Sequence, residues 1–272
     1  MIHNNNPQIN RVTKLVRYFL GTVYKLILRI RNIIWFIIDY FKFANFIKKQ
    51  KIKKYPDKVD NQLVCVTVIP WLGSSVPWYA ITLALMLYQK GKNISILFVD
   101  MPFGSDQLFH SIQSKLIYKI LRKLPIKSKK LSDYKDCDSH SEQIHHLSKL
   151  NSLHATHGET NTELRRSYEY IVKKQLTLIY SKLSSMYKKE NFNQIILPGG
   201  IWGPSGIISF FAEKHDTQLT SYDSDENELI MSIFGIAAQL RDIPYFFERL
   251  INNPKEKIFA IKKGVEQLKK RR

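Results

Sequence analysis

Along residues 11 to about 48, apolar side chains recur at three- and four-residue steps, among them Leu15, Phe19, Val23, Ile27, Ile30, Ile34, Ile38 and Phe41. That is the α-helical period, and it predicts one long helix. After Tyr55-Pro56-Asp57 the pattern changes. A short apolar run rich in β-branched residues at 63–69 and another at 94–99 suit strands buried in a parallel sheet, and 194–197 and 218–222 read as a third and a fourth strand. Between and after them, helical periodicity covers 76–89 (stopped by Gly91), 107–124, 163–189, a stretch from near Pro204, and then 226–240, 244–251 and 255–270. Residues 125 to about 162 are polar and lack a period, so they are expected to be irregular. Strand–helix alternation predicts an α/β fold, a doubly wound parallel sheet of Rossmann-like kind preceded by a long basic amphipathic helix. The boundary is expected near residue 55, with 1–55 as the helix and 56–272 as the domain.

Charge sharpens the reading of the first helix. The chain carries a formal +19, with 42 Lys and Arg against 23 Asp and Glu. Residues 1–55 hold twelve basic side chains and one acid, Asp39, a net +11. A second basic cluster closes the chain at Lys262, Lys263 and 269–272. A bilayer span needs roughly 18 apolar residues with few charges, whereas the longest charge-free runs here are 18–24 and 32–38. A helix lying in the membrane interface fits better, with Trp35, Tyr40 and Phe41 as anchors and lysines facing anionic head groups. A long helix packed on its own domain, or a coiled-coil partner, is the alternative. No helix-turn-helix, zinc-finger or RNP-like pattern accompanies the lysines, so nucleic acid is not the expected partner.

At 44% hydrophobic residues the chain can bury a full core, which excludes wholesale disorder. Two cysteines, Cys65 and Cys137, exclude a disulfide framework and a Cys-only zinc site. Nothing resembles a secretory signal, so the protein is expected to be intracellular.

Ligands of open α/β sheets bind outside the carboxyl ends of the strands, which directs attention to three loops. Gly73, Ser74 and Ser75 offer two hydroxyls before a helix. Gly199-Gly200-Ile201-Trp202-Gly203-Pro204-Ser205-Gly206 allows close backbone approach before another helix, and Trp202 offers a flat face to a sugar ring. Tyr222 and Asp223 follow the fourth strand, where Asp223 can accept from a sugar hydroxyl or act as a base. Each loop has a structural alternative: a tight turn for the glycines, helix capping by Ser224 or Asp225 for the third. Neither glycine loop has Walker or GxGxxG spacing. His140, His145, His146, His154 and His157 crowd the segment 136–157 without the paired spacing of a zinc site, so no metal is expected. Long segments can cover active sites, so His154 or His157 could still face a substrate.

The order and spacing of 196–206, Ser221-Tyr222-Asp223-Ser224, Gly235-Ile236-Ala237-Ala238 and Asp242-Ile243-Pro244 resemble the N-terminal half of bacterial capsular-polysaccharide glycosyltransferases, over roughly residues 63–249. The resemblance implies the GT-B arrangement, with an acceptor-binding N-terminal domain and a donor-binding C-terminal one. It implies transfer of a sugar from a nucleotide-sugar to a glycan or lipid-linked acceptor in surface-polysaccharide synthesis, with no cofactor. Gly73, Ser74, Ser75, Gly199, Gly200, Trp202, Ser205 and Tyr222 would line the acceptor cleft, and Asp223 would serve as base. The chain ends where the second domain should begin. The donor site is therefore expected on a missing domain or a partner chain, in a truncated product or one half of a split enzyme. The expected location is cytoplasmic, peripheral on the inner face of the cell membrane. A non-catalytic, membrane-associated binding or scaffold subunit is the alternative.

Overall fold

The computed structural model describes residues 7–50, 52, 60–71, 74–104, 107–137, 142–157, 163–224, 229–239 and 242–270. The first element is helix α1 (Pro7–Lys49). Strand β1 (Leu63–Val68) then enters the middle of a six-stranded sheet. It pairs in parallel with β2 (Asn93–Phe98) on one side and β4 (Gln194–Pro198) on the other. β3 (Lys127–Lys130) lies outside β2, and β5 (Gln218–Ser224) lies outside β4. β6 (Leu229–Ser232) closes that edge antiparallel to β5. The order β3-β2-β1-β4-β5-β6 is a Rossmann-like doubly wound sheet, as the alternation predicts.

Two faces of the sheet make two cores, and the pleat decides which residue joins which. Val64, Val66 and Val68 of β1 and Ile94, Ile96 and Phe98 of β2 face α1, α2 (Val76–Gln89) and α3 (Gln107–Leu121). Cys65, Leu97 and Leu197 face α4 (Glu142–Ala155), α5 (Glu163–Tyr187) and α6 (Gly203–Lys214). Both sides of the central strands are covered, which is why they read as unbroken apolar runs. Thr67, the polar exception in β1, is fully buried and donates its hydroxyl to the Ile196 carbonyl at 3.1 Å.

Two expectations need correction. The described residues within 125–162 are not irregular: they contain β3, a 3-10 turn at Leu131–Asp133, and α4. β3 reads Lys-Ser-Lys-Lys because it is an edge strand, where lysines block further pairing. Lys129 forms an ion pair with Glu190, and the Lys130 ammonium sits 3.9 Å from the Tyr118 ring centroid. α4 conceals its buried face because, beside Ile144 and Leu147, that face is completed by Ser148, Asn151 and Ser152, where apolar residues would reveal it. These side chains bond their own helix, to the carbonyls of His145 (2.9 Å), Leu147 (2.7 Å) and Lys149 (2.8 Å), so burial leaves none of the three without a partner.

The second correction concerns the helix expected at 226–240, whose described residues 229–239 form no α-helix. β6 is followed by Gly235 at φ +136°, a conformation that ends regular structure, and by a 3-10 turn at Ala237–Gln239. Buried Asp242 fixes this bend by accepting from the Ser232 hydroxyl (2.8 Å) and the Ile233 amide (2.6 Å). It also opens α7 (Asp242–Asn252), and α8 (Pro254–Lys270) follows.

The long first helix has two apolar stripes with different roles. Phe36, Tyr40, Phe43 and Ile47 share one side and meet α2, where Trp78 stacks on Phe36 (5.1 Å) and Phe43 (5.0 Å). Ile27, Ile30, Ile34, Ile38 and Phe41 fall on the opposite side at 100° per residue, and all are exposed. The helix is thus docked on the domain by its C-terminal end.

Trp78 is the centre of that docking, and truncating it removes its ring contacts with Phe36, Tyr40 and Phe43. Trp78→Ala is expected to cost about 3–5 kcal/mol in urea unfolding and to expose the 36–47 segment to proteolysis. Trp78→Phe keeps a ring and deletes a buried indole N–H that has no partner among the described residues, so it should cost well under half as much. Equal losses for both variants would show that the stack does not hold α1.

Candidate functional site

Successive strands run outward from β1 in one direction and from β4 in the other, so the loops leaving β1 and β4 diverge and open a crevice. A cavity of about 320 Å³ occupies it. Its floor and walls come from the segments after β1 (Ile69, Pro70, Trp71), after β2 (Met101, Phe103, Gly104) and after β4 (Trp202, Gly203, Pro204). α3 contributes His110 and Gln113, α4 contributes Asn151 and His154, and α5 contributes Tyr168.

Each wall is held by a specific interaction. The loop after β2 is tied to α5 by Gln175, whose amide accepts from the Gly104 N–H and donates to the Gly104 carbonyl, both at 2.9 Å. That fixes Phe103 beside Gly203. Gly203 adopts φ +53°, and a Cβ there would come 2.9 Å from the Phe103 ring, so glycine is required for this close approach. Asn151 accepts the Gly203 N–H at 2.9 Å, anchoring α4 to the start of α6. His154 stacks on Trp202 with centroids 4.3 Å apart. Gln113, almost fully buried, donates to the Trp71 carbonyl at 3.2 Å and holds the loop after β1.

The electrostatics are those of a neutral site. No Asp, Glu, Lys or Arg belongs to the lining among the described residues. Burial pushes the pKa of His110 below the ordinary histidine value, with partial opposition from the negative charge of Asp100 and a backbone bond to Met101. His110 is therefore an uncharged imidazole near neutral pH, 3.3 Å from the Ser114 hydroxyl. Of the donors at the start of α6, the Gly203 amide already serves Asn151 and Pro204 has none. The site is suited to a flat or ring-shaped neutral group stacked on indole and imidazole faces, with amides and imidazole in hydrogen-bond reach. It is poorly suited to a diphosphate.

The loop residues expected to form the site are distributed differently. Trp202 lines the cavity. Gly73 lies outside the described residues. The Ser74 hydroxyl accepts the Val76 amide (3.1 Å) and the Ser75 hydroxyl donates to Asp39 of α1 (3.4 Å), so both organise the start of α2. Gly200, at φ +125°, faces Ile236, and a Cβ would approach that side chain to 2.9 Å. Its role is packing between the β4 loop and the turn after β6. Ser205 and Tyr222 are buried, Tyr222 within the core beneath α2. Gly199 (φ +65°) and half-buried Asp223 meet at the ends of β4 and β5, one strand away from the cavity. Burial raises the pKa of Asp223, as a base would need, but the carboxylate is not part of the lining.

Trp71, Phe103, His110, Gln113 and Asn151 are the cavity residues that loop composition did not flag. Trp71 and Phe103 directly follow β1 and β2, so strand-end position was their available signal. Asn151 had none, because its helix was unrecognised. His154 does face the cavity, and so does not belong merely to a polar surface loop.

No family model, curated protein or solved structure matches this chain.

His110 gives the site a pH signature. An unfolded histidine titrates near about 6.5, whereas the folded one binds its proton only at lower pH. Between those values the unfolded chain holds more protons, so this group's contribution to stability falls as pH drops. His110→Gln should therefore show a smaller loss of Tm than the wild type between about pH 7 and about pH 5. Identical profiles would mean His110 is not buried as described.

Proposed function

We propose that this protein is a glycosyltransferase-like component of capsular or related surface-polysaccharide synthesis, and that its cavity holds the sugar ring of a glycan or lipid-linked acceptor. The observation that carries the reading is the uncharged, aromatic-walled cavity at the crossover between β1 and β4. Pyranose rings present C–H faces to Trp202 and Trp71 while their hydroxyls exchange hydrogen bonds with Gln113, Asn151 and the neutral His110. The reaction served is transfer from a nucleotide-sugar whose diphosphate binds elsewhere than in this cavity. The lack of a carboxylate in the described lining favours a second reading on one point: the chain holds acceptor without itself performing transfer.

The location follows from α1. Among the described residues no helix is long and apolar enough to cross a membrane. The outward stripe of α1, flanked by Arg31, Lys42 and Lys49, fits a helix lying against an anionic membrane surface, with the inward stripe securing the domain to it. In this reading the protein works at the cytoplasmic face of the membrane, where lipid-linked acceptors are presented.

Two measurements test the proposal. Tryptophan fluorescence titrated with methyl hexopyranosides and short glycans should respond in the wild type. Trp202→Ala should lose at least about fivefold in affinity, about 1 kcal/mol, and Trp202→Phe should recover part of it. A wild type that binds no saccharide, or a Trp202→Ala variant that binds as well, removes the cavity from the acceptor site. Turnover of a nucleotide-sugar on a bound acceptor then separates the enzyme from the binding subunit. Separately, Ile30→Glu and Ile34→Glu should each weaken binding to anionic vesicles by roughly tenfold, with affinity falling as salt rises. Vesicle binding unaffected by either substitution would place membrane contact elsewhere.

A further inference from the structure

His110 lines a second cavity as well as the first. This neighbour, about 380 Å³, lies beyond the carboxyl ends of β2 and β3, along α3. Its chemistry is the reverse of the aromatic cavity. Lys115 of α3 and Lys130 of β3 line it, with the hydroxyls of Ser111 and Ser114 as additional donors. Lys130 is held in place by its seat over the Tyr118 ring, 3.9 Å from the centroid. The one carboxylate in the lining, Asp100, is already engaged: Ser132 donates to its two oxygens through the backbone amide (3.0 Å) and the hydroxyl (2.6 Å).

Two ammonium groups and two hydroxyls around a partly buried cleft match a phosphate, which accepts on several oxygens at once. His110 belongs to the walls of both cavities, and the segment 101–103 alternates between them, Met101 and Phe103 lining one and Pro102 the other, so the two sites adjoin and an elongated ligand is the kind that would reach both. We propose that the cationic cavity holds a phosphate carried by the same molecule whose ring occupies the aromatic cavity, making the ligand class a glycosyl phosphate, free or lipid-linked. The ring half of this assignment rests on the acceptor reading above. The phosphate half rests on Lys115, Lys130, Ser111 and Ser114 alone. The arrangement also joins the ligand to the membrane helix: α3, which supplies three of these four residues, packs against α1.

The test uses the full chain with inorganic phosphate, glucose 1-phosphate and glucose as probes, followed by the ring resonances of His110 and by tryptophan fluorescence. Phosphate should shift His110, and glucose 1-phosphate should bind at least about tenfold more tightly than glucose. Lys115→Gln/Lys130→Gln should weaken phosphate binding by at least about tenfold, while Lys173→Gln on exposed α5 surface should leave it unchanged. Lys115→Glu alone, at an exposed position, gives the same reading should the double variant unfold. No phosphate effect at His110, or one that survives loss of both lysines or responds equally to Lys173→Gln, overturns the proposal. Equal binding of phosphate and glucose 1-phosphate, with tryptophan fluorescence unmoved, would remove the ring assignment and leave the phosphate site standing. Zwitterionic vesicles doped with a polyprenyl phosphate distinguish the two sources. Competition at lower phosphate content than glucose 1-phosphate assigns the lipid-linked form, and the opposite order assigns the soluble one.

Discussion

The reversal of winding direction between β1 and β4 is the constraint on which the rest of the molecule depends. Parallel strands on either side of that point send their crossovers away from each other, so neither chain segment fills the space above their carboxyl ends. The gap must be closed by something, and here three elements close it from different directions: the loop after β2 pinned by Gln175, the start of α6 pinned by Asn151, and α4 laid across by the His154–Trp202 stack. The cavity is what remains after these contacts are satisfied. Its neutrality follows from the same contacts, since amides and imidazoles rather than charged groups do the pinning.

How much of this was legible in the sequence depended on whether burial showed itself through apolar residues. β1, β2 and β4 are covered on both faces and could be read directly from Val, Ile and Leu runs, while β5 was placed by the strand–helix alternation. β3 could not, because an edge strand of lysines satisfies its surroundings with charge and a single cation–π seat. α4 could not, because its buried positions use serine and asparagine that bond their own backbone, a solution invisible to any apolar count. The turn at 233–242 misled for the opposite reason. Its apolar residues do recur, but Gly235 and the buried carboxylate of Asp242 impose a bend that periodicity does not encode. Among site residues, Trp202 stood out because an aromatic in a glycine loop is conspicuous. Gln113 and Asn151 matter through what they hold, and only the folded chain shows what that is.

α1 shows how a single helix can carry two apolar stripes. A helix packed only on its domain needs one stripe, and a helix lying only at an interface also needs one. Here the stripes lie on opposite sides of the same cylinder, so the sequence looks apolar nearly all round and is interrupted by arginines and lysines at the boundaries. Burying the inner stripe beneath Trp78 fixes which way the outer stripe faces.

The orientation of α1 has a consequence for the ligand site because α3 is shared. One side of α3 contributes Ile117, Ile120 and Leu121 to the core that α1 covers, while His110, Gln113, Ser114 and Lys115 reach the two cavities. α3 is thus braced between α1 and the crevice, so the helix that lines both cavities also rests on α1. The uncharged cavity and the cationic one meet at His110, whose lowered pKa keeps it neutral where the ring would sit and leaves the lysines as the source of positive charge. Charge separation of this kind sorts a ligand by its parts. A neutral ring finds aromatic faces without having to strip hydration from a buried ion, and a phosphate finds ammonium groups without entering the apolar space. Under the proposed assignment, a molecule joining ring to phosphate is the kind of ligand that would use both cavities.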